Sequence, residues 1–433
     1  MLPKNSDKKM SEYKQRIADQ LLAEQLDTTG AVLVQGPKWC GKTTTAAQAA
    51  KSVLYMDDPE TKENNLLLAD SNAKTLLEGA TPRLIDEWQI ATKLWDTARF
   101  VIDRRNETGQ FIFTGSAVPA DTSAIFHSGT GRFAWLTMRP MSLFESGESN
   151  GSMSLQDLFE GKAEAASANN LTLQDLAFLV CRGGWPGTLR LQQKSALRQA
   201  YNYIEAVANS DISRVDGVSR DASFAKRLMR SYARHQGAQV PISTICKDLQ
   251  ENENQSMSED TIASYLNALR KIFVVEDMPA WNPNLRSKTA IRTSDTRYFV
   301  DPSVAAAALG LGPDDLMKDL NTFGLLFETL AVRDLRVFAD ALGGELFHYR
   351  DKNGLECDAV IHLRNGRYGL IEIKLGGDKL IGEGVKTLNS LAEKIDTGKM
   401  PEPSFKMVLT GIGQYAFQCK DGVYIVPIGS LRP

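Results

Sequence analysis

The stretch Ala31-Val32-Leu33-Val34-Gln35-Gly36-Pro37-Lys38-Trp39-Cys40-Gly41-Lys42-Thr43-Thr44 decides how this chain is read. Its first residues form an unbroken apolar run, which predicts a buried strand; the run Ala46-Ala47-Gln48-Ala49-Ala50 predicts a helix after it. Between the two, Gly36 and Gly41-Lys42-Thr43 have the spacing G-x-x-x-x-G-K-[ST] of a phosphate-binding loop. Glycines let main-chain N–H groups close around phosphate oxygens, and the helix N-terminus adds a positive dipole end. On this reading Gly36, Pro37, Lys38, Trp39, Cys40, Gly41, Lys42, Thr43 and Thr44 seat a nucleotide triphosphate. Lys42 reaches the β- and γ-phosphates, and the Thr43 hydroxyl takes a place on Mg²⁺. The strand before and the helix after separate this motif from a chance glycine-rich turn.

Working outward, Ile17, Leu21, Leu22 and Leu26 recur at helical spacing and predict a helix leading into the first strand. Val53-Leu54-Tyr55-Met56, followed by Asp57-Asp58-Pro59, suits a second buried strand. Arg83-Leu84-Ile85-Asp86-Glu87 repeats the pattern, as do Phe111-Ile112-Phe113-Thr114-Gly115-Ser116 and Trp135-Leu136-Thr137-Met138. Apolar strands alternating with helices predict an α/β domain with a parallel sheet covered on both faces. Ligands of such sheets sit beyond the carboxyl ends of the strands, where Gly36, Asp86 and Glu87 fall. There Asp86 would hold Mg²⁺, and Glu87 would orient or deprotonate the attacking water; the alternative is two solvated acids at a strand end. Ser116, or else Thr114, would sense the γ-phosphate, against a plain strand-to-loop turn. Arg132 would act as a finger on the γ-phosphate, in cis or from a neighbouring subunit, with Arg139 as rival and a surface ion pair as alternative.

At 433 residues the chain predicts two or three domains. A net charge of −3 gives no global basic field, so any nucleic-acid contact must come from a local patch. Cys40, Cys181, Cys246, Cys357 and Cys419 are scattered and odd in number, and suggest neither a disulfide framework nor a zinc site. His127, His235, His348 and His362 form no close ligand pair. The start, Met1 to Met10, is polar and lysine-rich rather than a secretory signal, and no apolar run is long enough to span a membrane, so the expectation is a cytoplasmic protein. Because Cys40 lies inside the loop beside Lys42, alkylating it is expected to block ATP binding.

The loop from Gly36 to Thr43, then Leu84-Ile85-Asp86-Glu87-Trp88-Gln89, Phe113-Thr114-Gly115-Ser116, and Gly131-Arg132 before the last strand resemble one prokaryotic family. These are the predicted AAA-type ATPases, P-loop proteins with a C-terminal domain of unassigned function. The resemblance implies an AAA-like sheet over residues 11–145, with the phosphate-loop strand near its centre. It implies ATP and Mg²⁺ at Lys42, Thr43, Asp86 and Glu87, with Ser116 and Arg132 in sensor and finger positions.

Residues 146–223 read as a helical linker region. Its Arg182-Gly183-Gly184-Trp185-Pro186-Gly187 resembles the family's Gly-Gly-aromatic-Pro motif, a tight bend that the Trp185 ring packs over; a structural hinge is its first reading and a site its second. Residues 224–315 carry a winged-helix pattern. Leu228 and Tyr232, then Ile242, Ile245 and Leu249, then Ile262, Tyr265, Leu266 and Leu269 mark three helices, the third started by Ser256-x-x-Glu259. Ile272-Phe273-Val274-Val275 is expected to begin a wing strand. Ser258-Glu259-Asp260 at the start of the third helix would repel phosphates, which favours a protein partner over DNA; Arg286, Lys288, Arg292 and Arg297 nearby would suit a nucleic-acid backbone.

In residues 316–433, Phe323 to Leu335 predicts a helix, and Leu346-Phe347-His348-Tyr349-Arg350, Cys357-Asp358-Ala359-Val360-Ile361 and Tyr368 to Lys374 predict strands. Period-two alternation places Glu372 and Lys374 on one face, with Asp358 on the neighbouring strand. This set, with Glu328 on the leading helix, resembles the PD-(D/E)XK nuclease fold. The resemblance implies Mg²⁺ at Asp358 and Glu372, with Lys374 assisting the attacking water. Cys357 stands where the motif has proline, and no glutamine follows on the next helix. The alternative is an inactive scaffold in which Glu372 and Lys374 pair. Three functions follow: an ATP-hydrolysing switch, an ATP-dependent binding module without turnover, and an ATP-gated DNA nuclease. A homo-oligomer is required if Arg132 acts in trans.

Overall fold

A computed structural model of the chain describes residues 13–116, 129–164, 170–254, 256–286 and 290–433. Lys288, His127 and the lysine-rich first ten residues lie outside these. Helix α1 (Ile17–Thr28) leads into strand β1 (Ala31–Gln35), and α2 (Lys42–Ala49) follows the glycine loop. Next come β2 (Ser52–Tyr55), α3 (Lys62–Leu76), β3 (Arg83–Asp86), α4 (Lys93–Arg105), β4 (Phe111–Gly115) and β5 (Phe133–Thr137). These strands are parallel, in the order β2-β3-β4-β1-β5. Ala31, Leu33, Ile85, Phe111 and Phe113 pack with Trp88 and Trp95 on one face. Val32, Val34, Leu84 and Ile112 pack with Leu22 and Ala46 on the other. Burial on both faces explains the unbroken apolar runs. β1 is interior, one strand in from the edge. β2 corrects the expected buried strand: it is the sheet edge, and Val53 and Tyr55 are exposed.

The middle of the chain is helical: α5 (Leu173–Arg182), α6 (Gln193–Ala206), α7 (Ala222–Arg234), α8 (Ile242–Asn252) and α9 (Glu259–Lys271). After α6 the backbone widens into a π-helical turn over Val207–Asp211. Ser258, not Ser256, caps α9; its side chain accepts from the Thr261 N–H. The run Ile272 to Val275 is likewise not a strand. It is the turn that closes α9, with Phe273 in the left-handed region (φ 59°) and Val274 N–H bonded to the Leu269 carbonyl. Ile272, Val274 and Val275 serve the helical core, and antiparallel bridges Val275–Phe299 and Met278–Thr296 follow.

Helices α10 (Pro302–Leu309) and α11 (Leu320–Ala341) lead into a second sheet. It comprises β6 (Gly344–Arg350), β7 (Glu356–Leu363), β8 (Tyr368–Lys374), then, after α12 (Asp378–Lys394), β9 (Phe405–Thr410), β10 (Phe417–Gln418) and β11 (Tyr424–Pro427). The order is β10-β11-β9-β8-β7-β6; β7 pairs antiparallel with β6 and with β8, and β8, β9 and β11 run parallel. One apolar core runs from α5 and α7 through α11 to Ile371 and Ile373 of β8. Among the described residues no helix is long and apolar enough to cross a membrane.

Candidate functional site

The glycines of the β1–α2 loop are required by geometry. Gly36 has φ 149°, and a Cβ there would stand 2.0 Å from the Met138 carbonyl oxygen; Gly41 has φ 101°. Trp39, between them, also takes a positive φ of 67° although 52% exposed, a backbone strain of the kind that collects at ligand sites. The Lys42 ammonium is buried and donates to the carbonyls of Gly36 (3.0 Å) and Pro37 (2.8 Å). The loop is held from behind: Arg16 donates to the Cys40 carbonyl at 2.8 Å and pairs with Glu145 at 2.9 Å.

β3 ends at the same edge. The Thr43 hydroxyl donates to Asp86 at 2.8 Å, and Thr114, at the tip of β4, donates to the same carboxylate oxygen. Glu87 follows in the left-handed region (φ 54°), which turns its side chain back toward β4, where Ser116 donates to it at 3.0 Å and Gln89 donates to its other oxygen. Neighbouring carboxylates are thus assigned different neighbours, Asp86 the loop threonine and Glu87 the serine. This set suits a magnesium triphosphate. Thr43 and Asp86 would hold the ion, whose charge neutralises phosphate oxygens, and the Lys42 ammonium is within reach of the loop mouth.

A cleft of about 710 Å³ opens over the loop. Lys42, Thr43, Glu87 and Ser116, from the loop and the strand ends, line it together with Trp39, Pro186, Leu191 and Gln199. The far wall is the Arg182-to-Gly187 turn and the start of α6. It stands close because of its glycines: a Cβ on Gly184 would lie 2.1 Å from the Met141 carbonyl oxygen, and one on Gly183 2.3 Å from Asp301. Trp185 donates to Ser303 at 2.9 Å and packs on Tyr203 (ring centres 4.6 Å), which also meets Trp39 (5.9 Å). Lys38 pairs with Asp211, at the end of the π turn, at 2.6 Å.

A second cluster lies between α11 and the C-terminal sheet. Lys374 bridges Asp358 (2.9 Å) and Glu372 (2.7 Å), and Asp358 also accepts from the Ile373 N–H. Glu328, on α11, accepts from Tyr298. Burial, and then the charge of Asp358, push the Glu328 and Glu372 carboxyls up to about 8. Burial acts against the Lys374 ammonium, but Asp358 and Glu372 outweigh it and raise its pKa. No group of three His, Cys, Asp or Glu side chains among the described residues is arranged to ligate a metal, so an ion here would rest on one or two carboxylates and its own waters.

Residues 28–146 match the AAA domain family. Residues 173–315 and 323–431 match two domains of unknown function, DUF8612 and DUF4143. No curated protein matches the sequence. Among solved structures, the Walker-type ATPase PABY2304 of Pyrococcus abyssi is 13% identical, with 68% of this chain and 96% of that one covered at a TM-score of 0.39. The Aeropyrum pernix ORC1 protein, solved in complex with DNA, is also 13% identical, with 71% and 95% covered at a TM-score of 0.22.

Within residues 28–146 the structure gathers Gly36 to Thr44, Asp86, Glu87, Thr114 and Ser116 at one sheet edge. It does not bring Arg132 there. The register Ala31–Phe133 places Arg132 beside the start of β1, at the opposite edge from the loop, where it pairs with Asp103 at 2.8 Å. The cis finger is therefore out of reach of this chain's own cleft. Arg139 is no substitute: it is buried against Glu276 (2.6 Å) and Asp340 (2.5 Å). Cys40 also departs from expectation. Its side chain is fully buried and contacts the Met138 carbonyl, so alkylating reagents do not reach it in the folded chain. Arg16, Asp211 and Gln199 escaped the sequence reading because long-range packing alone brings them to the loop. The glycine pair at 183 and 184 was the available sign that the far wall approaches closely.

Proposed function

We propose that the chain is a Mg²⁺-dependent ATPase whose hydrolysis acts as a switch on its helical and C-terminal parts. The observation that carries this reading is the joint placement of Thr43, Asp86 and Glu87: two groups fit to hold the ion, and a separate carboxylate, fixed by Ser116 and Gln89, fit to orient or deprotonate water. Lys42 leaves the carbonyls of Gly36 and Pro37 for the phosphates, and Ser116 senses the γ-phosphate through its bond to Glu87. Arg132, exposed on the opposite edge, would serve as a finger only on a neighbouring copy, which makes the active form a homo-oligomer. Single-turnover hydrolysis tests the assignment. Glu87→Gln should bind ATP with wild-type affinity and stall; hydrolysis at the wild-type rate would refute the role of Glu87 and leave ATP occupancy alone as the signal. Sedimentation with and without ATP tests assembly.

A second reading concerns the C-terminal cluster. We propose that Glu328, Asp358, Glu372 and Lys374 form a Mg²⁺-dependent nuclease-like site on DNA, and that residues 224–315 are a winged-helix module that meets a protein or DNA partner. What supports it is the meeting of Asp358, Glu372 and Lys374 in one cluster; the Lys374–Glu372 pair is equally what the inactive scaffold expects, so cleavage decides between them. Nicking of duplex DNA that needs Mg²⁺ and disappears in Asp358→Ala would support it. Absence of cleavage with Mg²⁺ or Mn²⁺ would leave the cluster a structural ion pair.

A further inference from the structure

The lining of the cleft over the phosphate loop has a part from the loop and strand ends, with Lys42, Thr43, Glu87 and Ser116, and another from later in the chain. A triphosphate lying on Lys42 and Thr43 must send its ribose and base toward the latter, because Glu87 and Ser116 close the near side with a carboxylate and its hydrogen-bonded hydroxyl. Much of the remaining lining comes from a different part of the chain, the stretch from the 182–187 turn into α6. The Pro186 ring and the Leu191 side chain line the cleft there, and Trp39 of the loop adds an exposed indole to the same lining. Into the same space comes one carboxamide, Gln199, partly buried and with no hydrogen-bond partner among the described residues.

We infer that this far wall is the nucleobase seat, in which Trp39 and Pro186 hold an adenine and Gln199 reads the edge bearing N6 and N7. The inference rests on the phosphate-loop reading above and adds the base-selecting residues to it. The Gln199 amide oxygen accepts from the N6 amino group while its amide nitrogen donates to N7, the bidentate pairing that a carboxamide makes with adenine. Guanine presents two acceptors on that edge, O6 and N7, and leaves the amide oxygen unpaired. Trp39 supplies a large contact face at small entropic cost because its backbone is fixed in the left-handed region and its ring rests on Tyr203. The seat also joins two parts of the chain: a base bound there bridges the phosphate loop and α6.

The test uses the full chain with Mg²⁺ and calorimetric titration of ATP, GTP, 7-deaza-ATP and inorganic tripolyphosphate. Wild type should bind ATP about tenfold more tightly than GTP or 7-deaza-ATP, the loss expected for one bidentate base contact. Gln199→Ala should weaken ATP about tenfold to the level of the other two, with tripolyphosphate affinity unchanged. Trp39→Ala should weaken every nucleotide by more than it weakens tripolyphosphate. Equal affinities for all three nucleotides in wild type, or an unaltered ATP affinity in both variants, would overturn the base seat while the phosphate loop stands. Absence of binding by both ATP and tripolyphosphate would overturn the two together.

Discussion

Arg333 and Asp301 form an ion pair of 3.0 Å in which neither side chain is more than 1% exposed. The same guanidinium holds Asp334 at 2.7 Å, and Asp301 accepts from the Gly184 N–H at 2.9 Å. Through Asp301 the cleft wall at Gly183-Gly184-Trp185 is fastened to α11, the helix that carries Glu328. Removing one partner of a buried pair strands the other, so Arg333→Ala should lower unfolding free energy by about 3–5 kcal/mol. Urea denaturation measures this. Any folded fraction should also bind ATP more weakly, because Pro186 loses its support.

Glu87→Gln should retain ATP and lose hydrolysis by about 10²–10⁴-fold, the usual contribution of a positioned general base. Quenched-flow single turnovers separate this from a binding defect, which would raise the ATP requirement instead.

Gly36→Ala should abolish nucleotide binding and destabilise the chain by more than about 1 kcal/mol, since the added Cβ would meet the Met138 carbonyl at 2.0 Å in a left-handed backbone. Thermal melts with and without MgATP report both effects: a lowered midpoint and no shift with ligand.

The raised carboxyls of Glu328 and Glu372 set a pH dependence. Each has a folded value near 8 against an ordinary value of 4.5, so between these limits the folded chain holds protons that the unfolded chain releases. Stability therefore falls as pH rises from about 4.5 through about 8 and levels off above that. Glu276 works the other way. Burial alone would raise it, but Arg139 and Arg336 hold it at about 2, and its contribution, present at neutral pH, is lost only as acid takes the pH through that value. Glu328→Gln should flatten the decline between pH 6 and 8; an unchanged slope in urea midpoints would contradict the assignment.

Thiol titration should separate the cysteines by position. Cys246 and Cys419, partly exposed, should react in the native state, and Cys40, Cys181 and Cys357 only on unfolding. Fast loss of ATP binding on treatment with a small alkylating reagent would place Cys40 at the surface instead.

What the sequence discloses follows the range of the forces involved. β1, β3 and β4 are legible because burial on both faces makes each an apolar run, and the loop is legible because its glycine and lysine spacing is local in the sequence. Asp86 and Glu87 are legible as acids ending a strand, but their separate partners, Thr43 with Thr114 and Ser116 with Gln89, are not. Period-two alternation likewise finds Glu372 with Lys374, yet says nothing of the burial that raises Glu328. Ile272 to Val275 misleads, because four apolar residues serve a turn over a helical core as readily as a strand. Arg132 misleads through direction: a residue before a strand lies at the end opposite one after it. Edge strands such as β2 and close approaches such as Gly184 to Met141 depend on what arrives from elsewhere in the chain.

The Lys42 ammonium is engaged by two carbonyls of its own loop. A small anion must displace those bonds and returns little more than it removes, whereas an extended polyanion also reaches the amides beyond them and the hydroxyl of Thr43. Under the proposed function this contact would set a threshold that a lone orthophosphate meets less well than the longer tail of a triphosphate.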